Sequence, residues 1–79
     1  MPHVIVKLWP GKSDAQKRQL SDAIVTSVTD VLGYGAESVS VGFDEVAVAD
    51  WDRVVFRPLV ADRWDSLTQK PGYGPKPDC

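Results

Sequence analysis

The stretch Pro2-His3-Val4-Ile5-Val6-Lys7-Leu8-Trp9-Pro10-Gly11-Lys12-Ser13-Asp14-Ala15-Gln16 decides how this chain folds. Its first half alternates. Val4, Val6 and Leu8 share one side, and His3, Ile5 and Lys7 share the other. Both sides are fairly apolar, which suits a strand covered on two faces. Trp9-Pro10-Gly11-Lys12 ends the strand, with Pro-Gly as turn punctuation. Ser13-Asp14-Ala15-Gln16 is a capping box: the Ser13 hydroxyl can accept from the Gln16 amide while the Gln16 side chain reaches back to Ser13. A strand over residues 2 to 8, a turn and a capped helix follow from these fifteen residues.

Outward from there, the helix should run to about Leu32. Leu20, Ala23, Ile24, Val28, Val31 and Leu32 recur in steps of three and four, an amphipathic stripe. Lys17, Arg18, Gln19, Asp22, Thr26 and Asp30 fill the other face. Gly33-Tyr34-Gly35 stops the helix, with Gly33 as a left-handed cap. Val39 to Val46 reads as a second strand, with Val39, Val41 and Phe43 on one face and Ser40, Gly42 and Asp44 on the other. Strand, helix, strand gives a right-handed βαβ unit with two parallel strands, joined by a connection of about 30 residues. Asp50 is a plausible helix N-cap, with Trp51, Val54 and Val55 at helical spacing behind it. Pro58 should end that turn or start a second helix at its first position. Leu59, Val60, Arg63, Trp64 and Leu67 carry the stripe onward. Lys70-Pro71-Gly72-Tyr73-Gly74-Pro75 reads as a stop and a short extended tail. The predicted class is α+β: a two-layer β-α-β fold of two parallel strands, a long helix and a C-terminal helical segment. Residues 1–79 read as a single domain.

Size bounds what the chain can do alone. At 79 residues a domain buries little surface and often needs disulfides, a metal or a partner subunit. Cys79, the single cysteine, is terminal and cannot close an internal disulfide. With one histidine and no CxxC or HxxxH spacing, no metal site is expected. Two parallel strands do not make a stable sheet by themselves. A homo-oligomer is therefore expected, most simply a homodimer that continues the sheet across a two-fold axis. The net charge of −2 speaks against nucleic acid as a partner. No apolar stretch approaches the roughly 18 residues of a membrane helix, and no signal-peptide pattern opens the chain. A cytoplasmic protein is the default.

Three catalytic classes fail on inventory. Metal hydrolysis lacks ligands. A Ser-His-Asp triad would depend on His3 alone, with no nucleophile elbow. A phosphate-binding loop is matched only in its last three letters by Gly11-Lys12-Ser13. No cofactor is expected. What remains is Pro2. Once Met1 is removed, Pro2 carries a free secondary amine that can act as a base. The plainer reading is that Pro2 only starts a strand, where its missing N–H does no harm. A base near neutral pH would need apolar walls and nearby cations to lower the amine's proton affinity. Trp9, Phe43, Trp51 and Phe56 are candidates for the wall, and Lys12, Arg53 and Arg57 for the cations. Each has a second reading. Tryptophans in so short a chain are usually core or interface, Lys12 can be a solvated turn lysine, and Arg53 and Arg57 can pair with Asp50 or Asp52.

Pro2 at the head of a strand, Gly11-Lys12-Ser13-Asp14-Ala15-Gln16-Lys17 opening the helix, and Ser38-Val39-Ser40-Val41 together resemble the 4-oxalocrotonate tautomerase family of the tautomerase superfamily, over about residues 2 to 51. Trp51…Val55-Phe56-Arg57-Pro58 and Leu67…Lys70-Pro71-Gly72-Tyr73 resemble its longer, dimeric, PptA-like bacterial branch, whereas the shorter members form hexamers, so a dimer is expected with a hexamer as the alternative. The resemblance implies a βαβ fold and an amino-terminal proline acting as general base. The implied reaction moves a proton between an enol and its ketone on a small 2-oxo acid. Lys12 stands where well-known members have a carboxylate-binding arginine, Ser40 where they have a carbonyl-polarising arginine, and Trp51 where they have a pocket phenylalanine. The expected site is thus Pro2 as catalytic base. Lys12, Trp51, Phe56, Arg53 and Arg57 are expected to bind a carboxylate substrate. The rival expectations are a non-catalytic binding protein of the same fold and a Pro2-dependent hydrolase or dehalogenase.

Overall fold

The computed structural model describes residues 1–73; the end of the expected tail, with Pro75 and Cys79, lies outside the described residues. The backbone falls into two compact units, Met1–Glu45 and a second beginning at Val46.

The first unit follows the order strand β1 (His3–Leu8), helix α1 (Asp14–Leu32), one 3-10 turn (Ala36–Ser38) and strand β2 (Ser40–Glu45). The two strands are parallel, in a register that runs from His3 opposite Ser40 to Leu8 opposite Glu45. Local chemistry sets both ends of α1. Ser13 is extended, and its Oγ accepts from the Gln16 amide at 3.1 Å while the Ser13 amide donates to Gln16 Oε1 at 3.0 Å. Two orphan donors of the helix start are satisfied reciprocally. Gly33 stops the helix at φ 77°, its amide donating to the Thr29 carbonyl at 3.1 Å. A side chain is unfavourable in that left-handed conformation. Gly11 turns the chain into the helix at φ 124°, for the same reason a glycine position.

This register brings three cross-strand pairs together on one face of the sheet. His3 Nδ1 and Ser40 Oγ are hydrogen-bonded. Ile5 leans over Gly42, where an added Cβ would come within 3.0 Å of Ile5 Cδ1. Lys7 Nζ meets Asp44 Oδ2 at 2.9 Å. A slip of one residue would separate all three. On the other face Val4, Val6, Leu8, Val41 and Phe43 are half-buried. Lys17 near the start of α1 donates to Glu45 Oε2 at 3.2 Å, tying the helix to the end of β2.

Two packing expectations need correction. The half-buried stripe of α1 is Lys17, Ser21, Ile24, Val25, Val28 and Thr29, whereas Leu20, Ala23, Val31 and Leu32 are exposed, Val31 to 79%. The apolar arc of the helix is wider than a two-stranded sheet can cover, so its flank stays in solvent. Nor is β1 covered on two sides, since His3 and Ile5 are exposed.

The second unit holds a 3-10 turn (Val48–Asp50), a π-helix (Asp52–Ala61) and another 3-10 turn (Trp64–Ser66). Asp50 is not the N-cap that its position suggests. No side-chain capping bond opens the π-helix, and the Asp50 carboxylate pairs with Arg53 instead. Pro58 neither ends a helix nor begins one; it lies inside the π-helix. The Asp62 amide bonds the Arg57 carbonyl, five residues back, at 3.0 Å. In an α-helix the proline ring would strike the carbonyl four residues back, and the wider π turn relieves that clash. Val55 and Phe56, 5% and 4% exposed, are the buried apolar residues among those described.

Candidate active site

Pro2 is half-buried and immediately precedes β1. Its carbonyl accepts from the Ser40 amide at 3.1 Å, which anchors the residue as the first rung of the parallel ladder. With Met1 attached, the Pro2 nitrogen is a tertiary amide and has no basic lone pair. A base at this position requires Met1 to be absent.

Lys12 is exposed on the turn before the Ser13 cap. Most cations of the chain have a carboxylate partner: Lys7 has Asp44, Lys17 has Glu45 and Asp14, and Arg18 has Asp22. Lys12 has no ion pair or hydrogen bond among the described residues. It also stands far from Pro2. Six strand residues at ~3.3 Å each put roughly 20 Å between the two ends of β1, and Pro2 and Lys12 lie at opposite ends.

Trp51, Arg53, Phe56 and Arg57 all belong to the second unit. Arg53 Nη2 lies 3.3 Å from Asp50 Oδ1, and Arg57 places both Nε and Nη2 2.6 Å from Asp52 Oδ2. Each arginine is therefore already matched by a nearby carboxylate. Trp51 Nε1 donates to the Tyr73 hydroxyl at 3.3 Å. The Tyr73 ring lies over Phe56 with centroids 6.0 Å apart and planes tilted by 49°, an ordinary aromatic pairing. Phe56 is buried, so its ring backs Tyr73 instead of facing solvent. Tyr73 is the residue that sequence reasoning missed. Its signal was present in Lys70-Pro71-Gly72-Tyr73, read as a stop and a tail. Among the described residues no cluster of His, Cys, Asp and Glu could hold a metal ion. No described helix is long and apolar enough to cross a membrane.

Residues 2–55 match the family model of tautomerase enzymes. A probable tautomerase of Xylella fastidiosa is 38% identical over 74 residues, covering 94% of this chain and 90% of the relative. The tautomerase PptA of Cronobacter sakazakii is also 38% identical, covering 92% of this chain and 97% of that protein. Among solved structures, YwhB, a homologue of 4-oxalocrotonate tautomerase, superposes with a TM-score of 0.57 at 33% identity, over 58% of this chain and 75% of its own. TomN, a 4-oxalocrotonate tautomerase homologue of the tomaymycin biosynthetic pathway, gives 0.62 at 28% identity, over 81% and 95%.

Proposed function

Because this chain belongs to the tautomerase family, we propose that it interconverts the enol and keto forms of a small 2-oxo acid, with the amine of Pro2 as general base after Met1 is removed. The neutral amine takes the enol hydroxyl proton, and the resulting prolinium returns a proton to carbon. The O–H bond is lost, a C–H bond is formed, and the amine is regenerated. Positioned acid–base catalysis of this kind typically contributes on the order of 10² to 10⁴ in rate.

The observation that carries the proposal is the coincidence of two facts at one residue. The family match begins at Pro2, and Pro2 is anchored to β2 through its carbonyl. Lys12 is the carboxylate binder in this reading, because no described residue matches its charge, whereas Arg53 and Arg57 each have a carboxylate partner. The length of β1 between them supports a Lys12 that comes from a second copy of the chain, so in this reading the working unit is a homodimer in which each copy completes the other's site.

Intact mass spectrometry tests the precondition, and kinetics tests the base. The protein without Met1 should ketonise the enol of an aryl-substituted pyruvate. Pro2→Ala should fall by at least tenfold in kcat, retaining a residue of activity from its more mobile primary amine. Equal activity in Pro2→Ala would make the proline a strand starter, and no activity in either protein freed of Met1 would make the chain a binding protein.

A further inference from the structure

The exposed face of the sheet carries a polar pair that the proposed chemistry does not use. Ser40 opens β2 directly opposite His3. It touches β1 twice. Its amide donates to the carbonyl of Pro2 at 3.1 Å, and its hydroxyl is hydrogen-bonded to His3 Nδ1. One residue thus grips both ends of the Pro2–His3 peptide unit. The backbone bond belongs to the ladder and any residue at position 40 would make it. The hydroxyl–imidazole bond is specific to these two side chains.

That second bond adds little to holding the strands together. Both residues are exposed, and the ladder continues for five further register pairs to Leu8 and Glu45, with the Lys7–Asp44 ion pair on the same face. Its effect falls on the free end of β1. Once Met1 is gone, Pro2 has no residue before it, and its ring can pivot only about the bonds leading into His3. The Ser40 amide holds the Pro2 carbonyl, and a His3 side chain held by the Ser40 hydroxyl limits rotation about the His3 N–Cα bond, so the peptide plane that carries the Pro2 ring is restrained on both sides.

We infer that Ser40 and His3 are positioning residues that orient the Pro2 amine, rather than structural residues of the sheet or groups that touch substrate. The inference rests on Pro2 being the base. Its energetic logic is that of orientation: a misplacement of about 1 Å can cost on the order of 10²-fold in rate, and a loosened pivot costs less than that.

The experiment is steady-state kinetics on the protein freed of Met1, with an aryl-substituted pyruvate enol as substrate. The variants are Ser40→Ala, His3→Leu, the double variant, and the conservative replacements Ser40→Thr and His3→Asn, which keep a hydroxyl at 40 and a polar atom near the Nδ1 position. Each disruptive single variant should lower kcat by roughly tenfold and leave KM within about twofold, the pattern of a lost transition-state contribution without lost binding. The double variant should be no worse than either single one, since all three break the same bond. Ser40→Thr and His3→Asn should recover most of kcat. Thermal melts of the same proteins should stay close to the parent. Unchanged kcat in Ser40→Ala, losses that multiply in the double variant, or a fall in kcat that tracks a fall in melting temperature would each overturn the inference. Pro2→Ala in the same assay separates the two readings. If it is fully active, the reading of Pro2 fails and takes this inference with it. If it is impaired while Ser40→Ala is not, only this inference fails.

Discussion

Lys12 carries a charge that no described residue answers, and at the scale of single residues this is what separates it from Arg53 and Arg57. A cation without a partner can meet a carboxylate without first breaking an ion pair. Its place just before the α1 cap adds the attraction of the helix amides for an anion. Lys12→Ala should therefore raise KM for a carboxylate substrate roughly tenfold, or ~1.4 kcal/mol, with a smaller change in kcat. Lys12→Arg should match or better the parent, because a guanidinium offers a two-pronged grip. Arg53→Ala and Arg57→Ala should leave KM within about twofold and cost less than ~1 kcal/mol of stability, as exposed pairs do. If KM instead rises in Arg53→Ala or Arg57→Ala and not in Lys12→Ala, the carboxylate lies against the π-helix. Pro2 and Lys12 can be proposed from the sequence alone because an amino-terminal imino acid and a turn lysine are chemically distinctive without a known neighbour. The His3–Ser40 bond and the place of Tyr73 beside Trp51 cannot, since each joins residues far apart in the chain and no local period records that.

At the scale of elements, what could be read was what local chemistry closes. The two ends of α1 are examples, because a capping box and a left-handed glycine act within four residues of themselves. Ser13→Ala should lower the unfolding free energy by about 1 kcal/mol, and Gly33→Ala by about 1–2 kcal/mol, both measurable by denaturant titration. Ser13→Asp should be nearly neutral, since a carboxylate also caps. A loss much below 0.5 kcal/mol for Ser13→Ala would mean that packing on the sheet, not the cap, holds the helix start. What could not be read was what the surroundings decide. Which arc of α1 is covered depends on how wide the sheet is, so Leu20 and Val31 were assigned to the inner stripe and lie outside it. Pro58 signalled a break because an α-helix was assumed, and a π-helix accepts it. The hydrogen-bond spacing that admits the ring is a property of the whole turn and leaves no mark in the composition.

At the scale of the whole molecule, the separation of Pro2 from Lys12 and the incomplete covering of the first unit lead to one requirement. Ile5 stands open on the sheet face, Val31 and Leu32 on the helix flank, and both strands have a free edge. In the homodimer proposed above, a second copy related by a two-fold axis perpendicular to the strands would cover such surfaces and run its own β1 in the opposite sense to the first, setting Lys12 of one copy toward Pro2 of the other. This arrangement has a consequence that a self-contained monomer lacks. Pro2→Ala and Lys12→Ala each impair every site when purified alone. When the two are unfolded together and refolded as a mixture, hybrid dimers combine an intact Pro2 from one chain with an intact Lys12 from the other, and leave the second site doubly defective. With random pairing half the dimers are hybrids and half of their sites are whole, so kcat/KM per chain should return to about a quarter of the parent value for an isologous two-site dimer. Mixing without refolding should recover this only as fast as subunits exchange. If refolded mixtures stay at the average of the two single variants, Pro2 and Lys12 act within one chain or Lys12 does not act at all. The Lys12→Ala measurement distinguishes those two outcomes. Light scattering that finds only an 8.7 kDa species at micromolar concentration would remove the shared site altogether.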